Sequence, residues 1–297
     1  MSRKWGFVNK AWRVGSIAGI SVEIGSEWLL FCVIWTVASA VVALPRVYPD
    51  WHPGAYWGAA LVNTTLGLAS LLLHELSHGV AAQGRRIPVT RITMNVAYAA
   101  THLQRAPNRP STDLLIALAG PSVSLALALA FGGLFVGAQV LRLAPLAAIA
   151  MFACALNLAW AVFNAVPIYP MDGGRALSAV LWAATGKRTE ATRWAAITGT
   201  AMAGSVAVLG VVYLAAGRWA DGLVLTLVGL LLLVIARVGA RMSGAWSALR
   251  GRSTGQGAGA SPAGARSEGA RSSRPVIGRA TVPVLADNAR AEPSRGR

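Results

Sequence analysis

Six uncharged apolar runs divide this 297-residue chain and limit what it can fold into. Most of them are long enough to cross a hydrocarbon core about 30 Å thick, which takes roughly 20 helical residues; only the sixth is short. The chain is 55% hydrophobic and 13% charged, with a mean hydropathy of +0.54, a composition typical of membrane proteins. The sequence therefore predicts an all-α polytopic membrane protein with about six transmembrane helices, over residues 28–44, 57–73, 114–141, 143–171, 194–217 and 222–236.

The positive charges alternate between the loops that join these runs. The net charge is +16, and 24 of the 27 Lys and Arg residues fall on one side of a chain that crosses six times. Because cytoplasmic loops carry an excess of Lys and Arg, we expect a multi-pass protein of the cell membrane with both termini in the cytoplasm. With only five crossings, the basic C-terminal residues would lie outside the cell. The charge distribution therefore supports a sixth crossing by the short run. This distribution argues against a nucleic-acid partner.

Composition divides the chain into three parts. Residues 1–26 are predicted to be a cytoplasmic N-terminal segment, residues 27–240 a six-helix core, and residues 251–297, rich in Gly, Ala, Ser, Pro and Arg, a disordered basic tail held near anionic lipid. Within the core, apolar and polar residues partly alternate over residues 85–104. This alternation predicts short strands on the cytoplasmic side, in a membrane-associated, β-hairpin-like region.

An ionisable cluster, His74-Glu75-Leu76-Ser77-His78, follows the second apolar run directly. Ionisable side chains at membrane depth are costly, so they indicate a functional site. Two histidines four residues apart on a helix can direct nitrogens at one metal ion, and a glutamate beside the first can reach a water on that metal. The spacing is typical of zinc hydrolases, and the alternative, a polar cluster that joins helices by hydrogen bonds, is less specific.

A catalytic zinc site commonly takes three protein ligands, so a third must come from elsewhere in the chain. Asp172 is the acidic residue that closes a long apolar run, after two prolines and before a pair of glycines. A chain broken by proline is tolerated at membrane depth where protein or water surrounds it, and it can present a carboxylate inward. His52 and His102, in predicted loops, are the weaker candidates.

Together these motifs resemble the site-2 protease family of intramembrane zinc metalloproteases. The resemblance rests on His74-Glu75-Leu76-Ser77-His78, on Ala119-Gly120-Pro121 and on the Asn-x-x-Pro-x-x-Pro-x-Asp-Gly-Gly-Arg stretch that starts at Asn164. It implies that His74, His78 and Asp172 bind Zn²⁺, that Glu75 is the catalytic acid/base, and that Asn164 assists substrate binding. It also implies that residues 87–104 form the hairpin region of the family.

The family resemblance carries an expected activity and expected partners. It implies a zinc metalloendopeptidase that hydrolyses peptide bonds within or near the transmembrane segment of single-pass membrane proteins, as in regulated intramembrane proteolysis. The expected partners are such a substrate and the lipid bilayer. Three departures stand out: Ser124 replaces an asparagine that many members carry, residues 94–102 lack the paired glycines of the hairpin region, and no PDZ or CBS domain is recognisable.

Two other classes of function remain open from the residues. A transporter or channel would use Glu75 and Asp172 to relay ions, but it does not explain the His spacing. An inactive adaptor would bind membrane partners without needing the intact Glu75. For Asn164, a capping or interhelical amide is as good an interpretation as a substrate contact.

Overall fold

A computed structural model describes residues 11–95 and 98–255 of the chain. Over these residues, six helices are long and apolar enough to cross a membrane, which agrees with the predicted count and includes the short sixth run. Large apolar side chains along them, such as Leu30, Leu129 and Val140, are exposed, as lipid-facing residues are. The six helical segments are Ser26–Val47, Pro53–Gly84, Pro110–Val140, Ala144–Ala165, Arg188–Ala215 and Trp219–Arg241.

The helices that concern the site are α3 to α8, and their bounds follow local sequence signals. Helix α3 begins after His52, whose Nδ1 accepts a hydrogen bond from the Gly54 N–H at 3.1 Å, with Pro53 at the first helical position. Before it, α1 (Ser26–Ala38) continues through a π-helical turn (Ser39–Ala43) into α2 (Leu44–Val47). The six helices that concern the site are α3 (Pro53–Gly84), α4 (Pro110–Val140), α5 (Ala144–Ala165), α6 (Asp172–Thr185), α7 (Arg188–Ala215) and α8 (Trp219–Gly255).

A four-stranded sheet joins two parts of the chain that are far apart in sequence. The strands are β1 (Ala11–Ile17), β2 (Ile20–Gly25), β3 (Val89–Asn95) and β4 (Tyr98–Leu103), in the order β1-β2-β3-β4. Each outer pair is an antiparallel hairpin, whereas β2 runs parallel to β3. The strands predicted within residues 85–104 are present, but the N-terminal segment was predicted without strands and contributes two.

The sheet packs against the C-terminal part of α3. Ile20, Ile92, Met94 and Ile116 are fully buried in one cluster that combines strand residues with the first turns of α4. Gly79 allows this contact, because a Cβ there would lie 2.6 Å from Cδ1 of Ile20. The sheet therefore lies at the end of the helical bundle where α3 ends and α4 begins.

The fourth apolar run, over residues 143–171, is broken near its end, as its two prolines predict. Helix α5 ends at Ala165, and α6 begins at Asp172 after an irregular connection that contains Pro167 and Pro170. Proline removes a backbone donor and disfavours helix at the residue before it, which explains the break. The chain then turns tightly, since a Cβ on Gly174 would lie 2.5 Å from the Cα of Tyr169.

Helix α8 runs into the first residues of the predicted C-terminal tail. Helix α8 continues to Gly255, so residues 251–255 are helical, because extending an existing helix costs little per residue. The compact unit that contains the site runs to Ser253. Residues 256–297 of the predicted tail and residues 1–10 of the predicted N-terminal segment lie outside the described residues.

Candidate metal centre

Helix α3 buries the whole His-Glu-x-x-His cluster in its last three turns. His74, Glu75 and His78 are 2%, 7% and 4% exposed. One side-chain donor atom from each lies within 4.8 Å of those from the other two. The i, i+4 spacing puts both imidazoles on one face of the helix, as predicted from the sequence. Three potential metal ligands are thus gathered among apolar helices.

Asp172, the first residue of α6, joins the two histidines from the other side. Its Oδ2 lies 3.2 Å from Nε2 of His74 and 3.2 Å from Nε2 of His78. The carboxylate reaches this position because α5 stops at Ala165 and α6 starts there. The structure therefore brings together the three residues predicted to hold a metal.

Hydrogen bonds to the outer nitrogens orient both imidazole rings. Nδ1 of His78 lies 2.6 Å from the Ile116 carbonyl oxygen, and Nδ1 of His74 lies 2.9 Å from the Ser124 hydroxyl oxygen. A carbonyl oxygen only accepts, so Nδ1 of His78 is the donor. In the neutral ring, Nε2 then carries no proton, and its lone pair faces Asp172. Such second partners are typical of metal-binding histidines.

The donor set fits a zinc ion. A lone pair of His78 and a carboxylate oxygen that face each other at 3.2 Å repel one another unless a proton or a metal ion lies between them. In a tetrahedral Zn²⁺ site with nitrogen and oxygen ligands, bonds of about 2.1 Å place the ligand atoms roughly 3.4 Å apart. The separations around Asp172 Oδ2 are close to that value, so little rearrangement is needed to bind the ion.

Gly120 of α4 leaves the space in front of these donor atoms free. A Cβ at this position would lie 2.6 Å from Nε2 of His74 and closer still to Nε2 of His78. Any other residue would therefore overlap both imidazoles at their inner nitrogens. This contact gives a physical reason for glycine in the Ala119-Gly120-Pro121 motif.

Strand β4 fixes the glutamate of the cluster. The Thr101 hydroxyl donates to the backbone oxygen of Glu75 at 2.8 Å and to its Oε2 at 2.9 Å. Sequence reasoning missed Thr101, and it left the role of Ser124 uncertain. The helical spacing of four between Gly120 and Ser124 was a usable signal for Ser124, since both residues lie on one face of α4. Thr101 gave no comparable signal, because its contact joins separate elements.

The other candidate residues form hydrogen bonds with partners outside this cluster. The Asn164 amide donates to the Trp160 carbonyl oxygen at 3.1 Å, one turn back in α5, so its role toward a substrate stays a prediction. His52 caps α3. His102 on β4 contacts the Thr93 hydroxyl at 3.0 Å, and burial together with the Arg91 charge lowers its pKa.

Comparisons with known proteins agree with the chemistry of this site. Residues 137–208 match the model of Peptidase family M50. A Synechocystis sp. protein named as a zinc metalloprotease is 34% identical over 184 residues, which are 62% of this chain and 48% of that protein. Rip3 of Mycobacterium tuberculosis, also named as a zinc metalloprotease, is 31% identical over 226 residues, which are 75% of this chain and 57% of Rip3.

The chain spans about half the length of these curated relatives. Among solved structures, the site-2 protease from Methanocaldococcus jannaschii is 23% identical and superposes with a TM-score of 0.47, covering 78% of this chain and 95% of that one. The match to Peptidase family M50 and the relatives named as zinc metalloproteases agree with the resemblance to the site-2 proteases seen in the sequence.

Proposed function

We propose that this chain is an intramembrane zinc metalloprotease that cleaves single-pass membrane proteins within or near their transmembrane segments. The observation that carries the proposal is the convergence of His74, His78 and Asp172 beside Glu75, within apolar helices. The names of its relatives support the same metal and the same class of reaction.

His74, His78 and Asp172 would hold Zn²⁺, which when bound supplies a Lewis acid for the scissile carbonyl and for the attacking water. Glu75 is the acid/base: its carboxylate takes a proton from that water and delivers it to the leaving amine. Because the Thr101 hydroxyl engages Oε2, we assign the proton transfer to Oε1. Gly120 keeps the reacting volume open between the two imidazoles.

The substrate would be held as an extended strand, since peptide bonds in a helix are shielded. Among the described strands, β4 pairs only with β3 and has one edge without a strand partner. Edge strands recruit extended peptides through backbone hydrogen bonds. A cavity of about 980 Å³ is lined by Leu103 and Gln104 at the end of β4 and by Tyr169, three residues before Asp172. The end of β4 and the connection between α5 and α6 thus border one space, and we propose that both hold the extended substrate.

The proposed orientation places both termini in the cytoplasm of a cell-membrane protein. His78 lies six residues before the end of α3, so the metal site is about 9 Å along the helix axis from that end. Arg85 and Arg86 follow immediately, as expected of a cytoplasmic boundary. Water could then enter from the cytoplasm over a short distance.

Metal analysis and a cleavage assay on the same preparation test the proposal. The purified protein is expected to contain one zinc per chain and to cleave a single-pass substrate in lipid vesicles. Glu75→Gln should keep the zinc and lose at least roughly 100-fold in cleavage rate, since general acid–base catalysis contributes about 10²–10⁴-fold. A metal-free protein that conducts ions would instead identify a transporter, and zinc binding without cleavage would favour an adaptor.

A further inference from the structure

Thr101 connects the edge strand of the sheet to the proposed acid/base. Its hydroxyl proton is shared between two oxygens of one residue, the backbone oxygen and Oε2 of Glu75, at 2.8 and 2.9 Å. The backbone contact fixes the strand to α3, and the carboxylate contact restricts the rotation of the Glu75 side chain. One side chain therefore determines both where β4 lies and where the carboxylate points.

The methyl group of Thr101 supports the same arrangement. Its Cγ2 lies 3.7 Å from the position that a Cβ on Gly79 would take, which is an ordinary van der Waals separation. Gly79 follows Glu75 by one helical turn, so the methyl sits over the glycine while the hydroxyl reaches back to the glutamate. On the neighbouring strand Thr101 pairs with Ile92, a fully buried residue. Packing thus holds this side chain independently of its hydroxyl group.

We propose that Thr101 is a positioning residue that holds the Glu75 carboxylate in the orientation needed for proton transfer. Because Thr101 lies on the edge strand proposed to receive the substrate, a peptide that pairs with β4 would stabilise the strand that carries this hydroxyl. Substrate docking and the alignment of the acid/base are then coupled through one residue. The inference rests on the proposed protease function.

Two substitutions distinguish the contribution of the Thr101 hydroxyl from that of its methyl group. Thr101→Val keeps the shape and the packing over Gly79 but loses the donor, whereas Thr101→Ser keeps the donor and loses the methyl. We expect Thr101→Val to lower kcat by about 10- to 100-fold with KM nearly unchanged, since a misaligned catalytic group costs up to about 10²-fold. Thr101→Ser should restore most of the rate, and both variants should retain their zinc.

Thr93→Val is the matched control. Thr93 lies on β3 and is 8% exposed, and its hydroxyl contacts Nε2 of His102 instead of Glu75. This variant removes the same chemical group from the same sheet and should cleave at the wild-type rate. If Thr93→Val loses as much activity as Thr101→Val, the effect belongs to the sheet as a whole and the inference is overturned.

A spectroscopic measurement keeps this inference distinct from the proposed function. The difference between the infrared spectra of wild type and Glu75→Gln isolates the carboxylate stretching band of Glu75. This band should shift in Thr101→Val and stay in place in Thr101→Ser. An unshifted band in Thr101→Val, or a wild-type kcat in that variant, overturns the positioning role. A wild-type protein that cleaves nothing refutes the protease proposal, and with it the catalytic consequence of the contact, whatever the band shows.

Discussion

At the residue scale, the site depends on small side chains as much as on its charged ones. Gly120 leaves the space between the imidazoles free, and Ser124, fully buried one turn later, contacts Nδ1 of His74. The His74, Glu75 and His78 positions could be predicted because helical spacing alone puts them together. Thr101 could not, because its contact with Glu75 requires knowing how the sheet packs on α3.

Replacing Gly120 by alanine should weaken metal binding. The added methyl would overlap both Nε2 atoms, and overpacking of this kind costs about 1–3 kcal/mol, which corresponds to a loss of roughly 5- to 150-fold in zinc affinity. Competition with a chelator of known affinity measures the effect. Gly133→Ala in the same helix is the control, because a Cβ there has no neighbour within 4 Å. Equal zinc affinity in the two variants would contradict this view of the pocket.

At the scale of the elements, the decisive feature is the break between α5 and α6. Its location near Pro167 and Pro170 could be predicted from the backbone chemistry of proline. The parallel pairing of β2 with β3 could not, because it joins strands separated by two membrane crossings. The alternation of Ile20, Val22 and Ile24 is a short strand signal, and only the packing of the sheet on α3 makes it stable.

Gly174→Ala should displace Asp172, because the first turn of α6 could no longer pack closely against the connection that precedes it. The new Cβ would meet the backbone of Ile168 and Tyr169, which cannot move aside as a flexible side chain would. We expect a loss of about 1–3 kcal/mol in stability together with reduced zinc content. Thermal unfolding and metal analysis measure the two effects. Gly204→Ala on α7, with no neighbour within 4 Å of its Cβ, should change neither; a zinc-loaded, stable Gly174→Ala protein would refute the role given to this turn.

At the scale of the whole molecule, six helices long enough to cross a membrane and the distribution of Lys and Arg support our proposal that the metal site lies near the cytoplasmic face. Hydropathy predicted all six helices, because uncharged runs of this length have few alternatives in a membrane. Helix α3 extends past the uncharged run 57–73 and includes the candidate metal ligands His74 and His78, as their helical spacing indicates. A buried polar helix end is possible there because α4, α6 and the sheet surround it.

Cysteine labelling in intact cells tests the proposed orientation. In a background with Cys32 and Cys154 replaced by serine, Asp50→Cys and Arg218→Cys should react with a membrane-impermeant maleimide. Thr90→Cys and Lys187→Cys should react only after lysis. All four positions are exposed in the fold, but the first two lie in connections between helices on the predicted outer side and the last two in connections on the predicted cytoplasmic side. The reverse pattern would place the sheet and the metal site at the outer face.

The most direct test of the central claim is the position of the cut in a single-pass membrane protein. The zinc-loaded chain and its Glu75→Gln variant would each be incubated with that substrate in lipid vesicles, and the products analysed by mass spectrometry. We expect one or a few cuts within or beside the transmembrane segment, made by the wild-type chain and absent with Glu75→Gln. Equal cleavage by both proteins, or cuts only in distant soluble parts of the substrate, would contradict it.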